Sequence, residues 1–271
     1  MTITLRPDAF RVVPYIVVLL GVLVCLAIAF PGVAEAHPED DFCEADGGLA
    51  PELCRRLAET NRSDAEVSTP LLDEEGNVRS PLDTALLYIK IGVQHILPGG
   101  TDHILFVLAL FLASERMRSL ILQISAFTVA HTLTLGMTAA GVIEPPASVV
   151  EPLIALSIAI VAIENLFTRE ISRWRLLLVV GFGLFHGMGF AGFIREVGLP
   201  PDQFWSSLIG FNIGVEIGQL SVVIAALLLS IPIKSRLAET NLSYRQVVVL
   251  PCSLVIGAIG LWWAVTRVLG I

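Results

Sequence analysis

Charge is scarce in this chain. Only 15% of its 271 residues are Asp, Glu, Lys or Arg, against about 25% in a soluble globular protein. Mean hydropathy is +0.78. Both values exclude a water-soluble globule. Basic residues are scarcer still, 17 against 25 acidic ones, for a net charge of −8. That balance argues against a nucleic acid partner, which a basic face would have to bind. There are four cysteines and no CxxC, so a thiolate metal site is not expected. The sequence has no HExxH, no Gly-x-Ser-x-Gly elbow and no nucleotide-binding P-loop. It therefore names no hydrolytic reaction and no nucleotide-driven step.

What is present begins with an address. Arg6 and Arg11 precede an apolar run over 12–30, and Ala34-Glu35-Ala36 follows directly before His37. This is the layout of a secretory signal peptide over 1–36. Cleavage after Ala36 would start the mature chain at His37-Pro38-Glu39-Asp40-Asp41. A free α-amine beside an imidazole and acids makes His37 a minor metal candidate, and a solvated tail is the plainer reading. Residues 37–80 concentrate 12 of the 25 acids and read as an extracytoplasmic segment too short to build a core alone. Export would let Cys43 and Cys54 form a disulfide. Cys25 and Cys252 lie in apolar runs and read as small buried hydrophobes.

From Pro81 to the end the pattern is that of an all-α, polytopic membrane helix bundle. Residues 84–97 are apolar but interrupted by Lys90 and Gln94. They predict a short amphipathic or partly inserted helix at the membrane surface, ended by Pro98-Gly99-Gly100. About six spans are expected, over 100–115, 119–141, 147–167, 174–194, 204–231 and 247–269, each helical because lipid offers the backbone no partners. Arg116 and Arg118, then Arg169, Arg173 and Arg175, then Lys234, Arg236 and Arg245 fall in alternate loops. The opposite loops hold Arg195, with Arg267 near the carboxyl end. The positive-inside rule makes the first group cytoplasmic and both mature termini extracytoplasmic. Signal cleavage gives the same topology independently.

Four of the five histidines fall inside this apolar region. A charged group at mid-bilayer costs about 2.5–3.5 kcal/mol on insertion scales, so such residues need a reason. His95 precedes the Pro-Gly-Gly turn, and Asp102 and His103 follow it. The glycines would let His95 approach the Asp-His pair, although Asp102 could simply cap a helix. His131 lies among threonines, His186 lies among glycines, and Glu216 shares a helix face with Asn212 and Gln219. Glu151 and Glu164 stand at the two ends of the third span. Counted from the span ends, Asp102, His103, His131, His186, Asn212 and Glu216 share the outward half or midplane. One polar site follows, with His95, Asp102, His103, His131, His186 and Glu216 as metal ligands. Asn212, Gln219, Glu151 and Glu164 would support them. Imidazole and carboxylate donors suit divalent Ni, Co, Zn or Fe.

The segments HILPGGTDHILFVLALFL, FTVAHTLTLG, VVEPLIALSIAIVAIENLF, FGLFHGMGFAGF and FNIGVEIGQL, in that order, resemble the HupE/UreJ family of bacterial membrane proteins. The resemblance runs from about Ala85 to Leu228. It implies nickel, and sometimes cobalt, entry for hydrogenase and urease maturation, and location in the inner membrane. The family's His–spacer–Asp-His hallmark falls on His95, Asp102 and His103. Here the spacer is six residues, one longer than in the nickel-permease branch. That brings the chain closer to the second, more broadly distributed branch and leaves the cation open. A divalent-metal transporter is thus expected. An intramembrane zinc-dependent hydrolase and a metal-binding assembly factor are the alternatives.

Overall fold

The computed structural model describes residues 79–114, 116–168, 173–190 and 199–270. The signal segment, His37, Cys43, Cys54 and Arg195 lie outside them. The described residues form helices and no strand. Helix α1 is Pro81–Ile96, α2 Thr101–Ala113, α3 Met117–Ala139, α4 Ala147–Phe167, α5 Arg173–Gly189, α6 Phe204–Leu237 and α7 Leu250–Leu269. A 3-10 turn, Pro201–Gln203, leads into α6, and a π-turn, Arg245–Val249, leads into α7.

Helix α1 starts where its sequence allows. The Ser80 side chain accepts the Asp83 N–H at 3.2 Å, and Pro81 costs nothing at a position with no intrahelical donor to lose. Its buried residues include Thr84, Tyr88, Ile91, His95 and Ile96, one stripe at helical spacing. That stripe has its partner within the bundle. It packs lengthwise against α6. A Cβ at Gly210 would meet the Ala85 carbonyl oxygen at 2.5 Å, and one at Gly218 would meet Ile96 at 2.7 Å. Cβ atoms at Gly92 and Gly214 would collide with the carbonyls of Phe211 and Ile89. Glycines four apart on one face let two backbones touch. The paired numbers rise together along both helices, so α1 and α6 run parallel.

At Leu97–Gly100 the chain bends by 74° into α2. At 1.5 Å per residue α1 is about 24 Å long and α2 about 20 Å, and neither crosses a core of about 30 Å alone. The expected surface helix and first span are therefore two halves of one broken segment. Among the described residues four helical runs are long and apolar enough to cross: Met117–Ala139, Ala147–Phe167, Pro201–Leu237 and Arg245–Leu269. The bent pair makes five, and α5 is a shorter apolar helix. About six spans were expected; the end of the fourth expected span, beyond residue 190, lies outside the described residues. The third expected span matches α4 at both ends, even though Pro152 lies inside it.

The basic loops gather at one end. Ser114 and Met117, which flank the α2–α3 loop, line one cleft with Lys234 and Arg245. Arg245 donates to the Asn165, Leu166 and Thr168 carbonyls at 2.9, 3.1 and 3.0 Å. It thereby satisfies the open C-terminus of α4. Arg175, 1% exposed, pairs with Glu164 at 3.3 Å and donates to Asn165 Oδ1 at 3.1 Å. Asn165 in turn donates to the Ala109 carbonyl of α2 at 2.8 Å. Glu164 thus stands in an ion pair at the basic end. At the opposite end Arg267 donates to the Glu151 carbonyl at 3.0 Å and ties α7 to α4.

Candidate metal centre

The helix break brings four histidines together. His95 ends α1, and Asp102 and His103 open α2. The His95 and His103 ring centroids are 4.8 Å apart. Gly100 permits this by its bareness, since a Cβ there would strike the His95 carbonyl oxygen. Asp102 is not the cap; Gly100 holds that position, without a side-chain bond. His186 of α5 lies 4.8 Å from His103, and His131 of α3 lies 5.9 Å from it, again between centroids. All four histidines are at most 2% exposed and Asp102 is 5% exposed.

Two overlapping sets offer ligand atoms within 4.8 Å of one another: His95, His103 and His131, and Asp102, His103 and His186. Two nitrogens on one ion at about 2.1 Å each stand at most about 4.2 Å apart. Any pair wider than that must draw inward on binding. His103 belongs to both sets and is the hinge of the arrangement.

Hydrogen bonds determine which nitrogen of each ring carries its lone pair. His103 Nδ1 lies 3.0 Å from Asp102 Oδ1, which also accepts the His103 backbone N–H at 2.8 Å. A carboxylate only accepts, so Nδ1 carries the proton and Nε2 is left basic. Nε2 is buried with no hydrogen-bond partner among the described residues. Asn212 Nδ2 donates to the Leu208 carbonyl at 2.8 Å. Its Oδ1 thus faces His131 Nδ1 at 3.1 Å, and His131 Nε2 is basic. Ser157 Oγ donates its one proton to the Ile154 carbonyl at 2.6 Å. It can only accept from His186 Nε2, 3.1 Å away, so His186 Nδ1 is the basic atom. Partners of this kind orient a metal-ligating imidazole and raise its basicity.

Phenylalanines wall the cluster. Phe190 lies 4.0 Å from the His95 ring centroid, Phe127 5.0 Å from His186, and Phe211 stacks on His131 at 6.4 Å. Aromatic walls exclude water and lower the local dielectric, which strengthens charge–dipole interactions inside.

The other expected residues lie elsewhere. Glu216 accepts from Ser125 Oγ at 2.6 Å and is in neither ligand set. Gln219 faces Thr128, 3.2 Å away. Glu151 and Glu164 stand at the two ends of α4. Ser157, Ser125 and the phenylalanines carry roles that the reading of the sequence missed. Ser157 had a signal, being the one polar residue in PLIALSIAIVAI; the phenylalanines had none, because an aromatic in a span is ordinarily core. Of the glycines around His186, Gly183 and Gly187 pack on α3, while a Cβ at Gly181 would meet nothing within 4 Å.

The Asp102→Asn variant tests the orienting role. An asparagine at that position still accepts a hydrogen bond, but without charge. Metal affinity should fall about 10–100-fold, read by competition with a chelating dye, with thermal stability little changed. Unaltered affinity would remove Asp102 from the site.

A family model described as HupE / UreJ protein matches residues 73–267. No curated protein and no solved structure matches the chain.

Proposed function

This chain belongs to the HupE/UreJ family, and on that basis we propose that it carries a divalent transition-metal cation, nickel or cobalt, across the membrane as cargo. The observation that carries the reading is the buried convergence of four imidazoles and Asp102 at a broken helix. Transporters place ion sites where a membrane helix is interrupted, because only there does the backbone leave room for converging side chains. Imidazole suits Ni, Co and Zn, and a neutral nitrogen releases an ion more readily than a thiolate.

His95, His103 and His131 form the ligand set in this reading, with His186 beside them. Asp102, Asn212 and Ser157 orient the rings. The basic end is cytoplasmic by the positive-inside rule, which puts the carboxyl terminus outside a bacterial inner membrane. The amino-terminal segment is a cleaved signal peptide, followed by an acidic extracytoplasmic stretch over 37–80. His103 stands only two residues into α2, so the cluster lies at the helix break, away from the basic end of α2.

The test is elemental analysis and flux on one preparation. Purified full-length protein equilibrated with micromolar nickel or cobalt should retain about one ion per chain. Reconstituted vesicles should accumulate that ion above protein-free vesicles. Protein that binds neither ion sinks the proposal. A tightly held, non-exchanging ion without flux points instead to an intramembrane metalloenzyme.

A further inference from the structure

Helices α3 and α6 are joined by three polar side-chain contacts. His131 meets Asn212 at 3.1 Å, Thr128 meets Gln219 at 3.2 Å, and Ser125 meets Glu216 at 2.6 Å. On α3 the series runs back from His131 to Ser125, about 9 Å toward the basic loop that precedes the helix. On α6 it runs forward from Asn212 to Gln219, about 10 Å toward Lys234. Both helices therefore carry the polar seam from the histidine cluster toward the same end.

Two details distinguish this seam from ordinary interhelix bonding. Gln219 is 1% exposed, and its Nε2 has no hydrogen-bond partner among the described residues. Thr128 Oγ1 also lies 3.1 Å from the Ile124 carbonyl, and a hydroxyl has one proton for its two acceptors. When that proton goes to Ile124, the Gln219 amide turns so that Nε2 donates to Thr128. The open atom is then Oε1, a buried carbonyl oxygen with nothing to accept. The second detail is Glu216. Bonding Ser125 needs only a neutral acceptor, which a glutamine supplies, and a charged carboxylate within a span costs more to insert than a neutral amide.

We propose that the α3–α6 seam is a second cation station, built on the Glu216 carboxylate and the Gln219 amide oxygen, which receives the metal from the histidine cluster on its way to the basic end. This rests on the transport reading above. Oxygen donors hold late transition metals less firmly than imidazoles do. The station would therefore bind weakly and release quickly, as a hand-off requires.

The test separates binding from passage. Full-length Glu216→Gln keeps the acceptor for Ser125 and removes the charge. It should bind nickel or cobalt within about twofold of wild type, unfold at an unchanged temperature, and lose tenfold or more of uptake into vesicles. Glu216→Asp should recover part of the flux. Full uptake by Glu216→Gln overturns the station. So does loss of tight binding together with uptake, which would place Glu216 in the first site or in the fold. Wild-type protein that binds no metal overturns the transport reading and this one with it.

Discussion

His103→Ala should reduce metal affinity by more than about a hundredfold, the largest effect of any single change in the cluster. Among the described residues His103 is the one common to both sets of ligand atoms. Its free Nε2 is a buried lone pair with no other use, and its Nδ1–H holds Asp102. Changes in the outer shell of a metal site already cost about 10–100-fold, so removing the shared ligand must cost more. The variant also strips Asp102 of its ring donor, leaving it the His103 backbone N–H, and opens a cavity where the ring stood. Lost binding could then reflect a weakened fold. His103→Gln separates the two, since it retains a side-chain donor and has no imidazole lone pair. Isothermal titration with nickel or cobalt, beside thermal unfolding in detergent, reads both quantities. Tight binding by His103→Gln with a normal unfolding temperature would exclude His103 as a ligand.

Gly187→Ala should destabilise the bundle and weaken the site together, while Gly181→Ala should do neither. A Cβ at Gly187 would collide with the His131 carbonyl oxygen and Thr134 Oγ1. The carbonyl is backbone within α3 and cannot rotate away, so α5 must move outward. Overpacking of this kind costs about 1–3 kcal/mol or more, a fall of several degrees in unfolding temperature for a chain of this size. Gly187 adjoins His186, so the displacement also carries that ring and its bond to Ser157 out of register. Gly181 lies nearly two turns away on the same helix with open space beside it. There alanine should be neutral or slightly favourable through helix propensity. Equal unfolding temperatures for the two variants would show that α3 and α5 do not pack as described.

Much of this was legible in one dimension. The spans α3, α4 and α7 follow from apolar length alone, because the bilayer sets how many residues a helix must bury. The histidines stood out for the same reason in reverse, as residues lipid does not tolerate without function. The family motifs marked the same segments. Helix α1 was legible as a short separate helix before the first span, because Lys90 and Gln94 interrupt its apolar run; its partner was not. Composition cannot show that Gly92, Gly210 and Gly214 admit α6 to backbone contact along its length. Glu216 drew attention for its cost in lipid, and cost says nothing of direction. Only the rotation of α6 shows that it faces Ser125 while Asn212, one turn earlier, faces His131.

The sequence by itself determined that this is a helical membrane protein, which family it joins, and which side chains are out of place in a bilayer. Local periodicity and the price of burying charge suffice for that. The tertiary structure decided which of those side chains meet. Four histidines separated by up to 91 positions share one chamber because glycine contacts bring α1 to α6 and α5 to α3, and a bent segment turns His95 toward His103. Proximity of that kind arises from packing between distant segments, and neither spacing nor hydropathy encodes it locally.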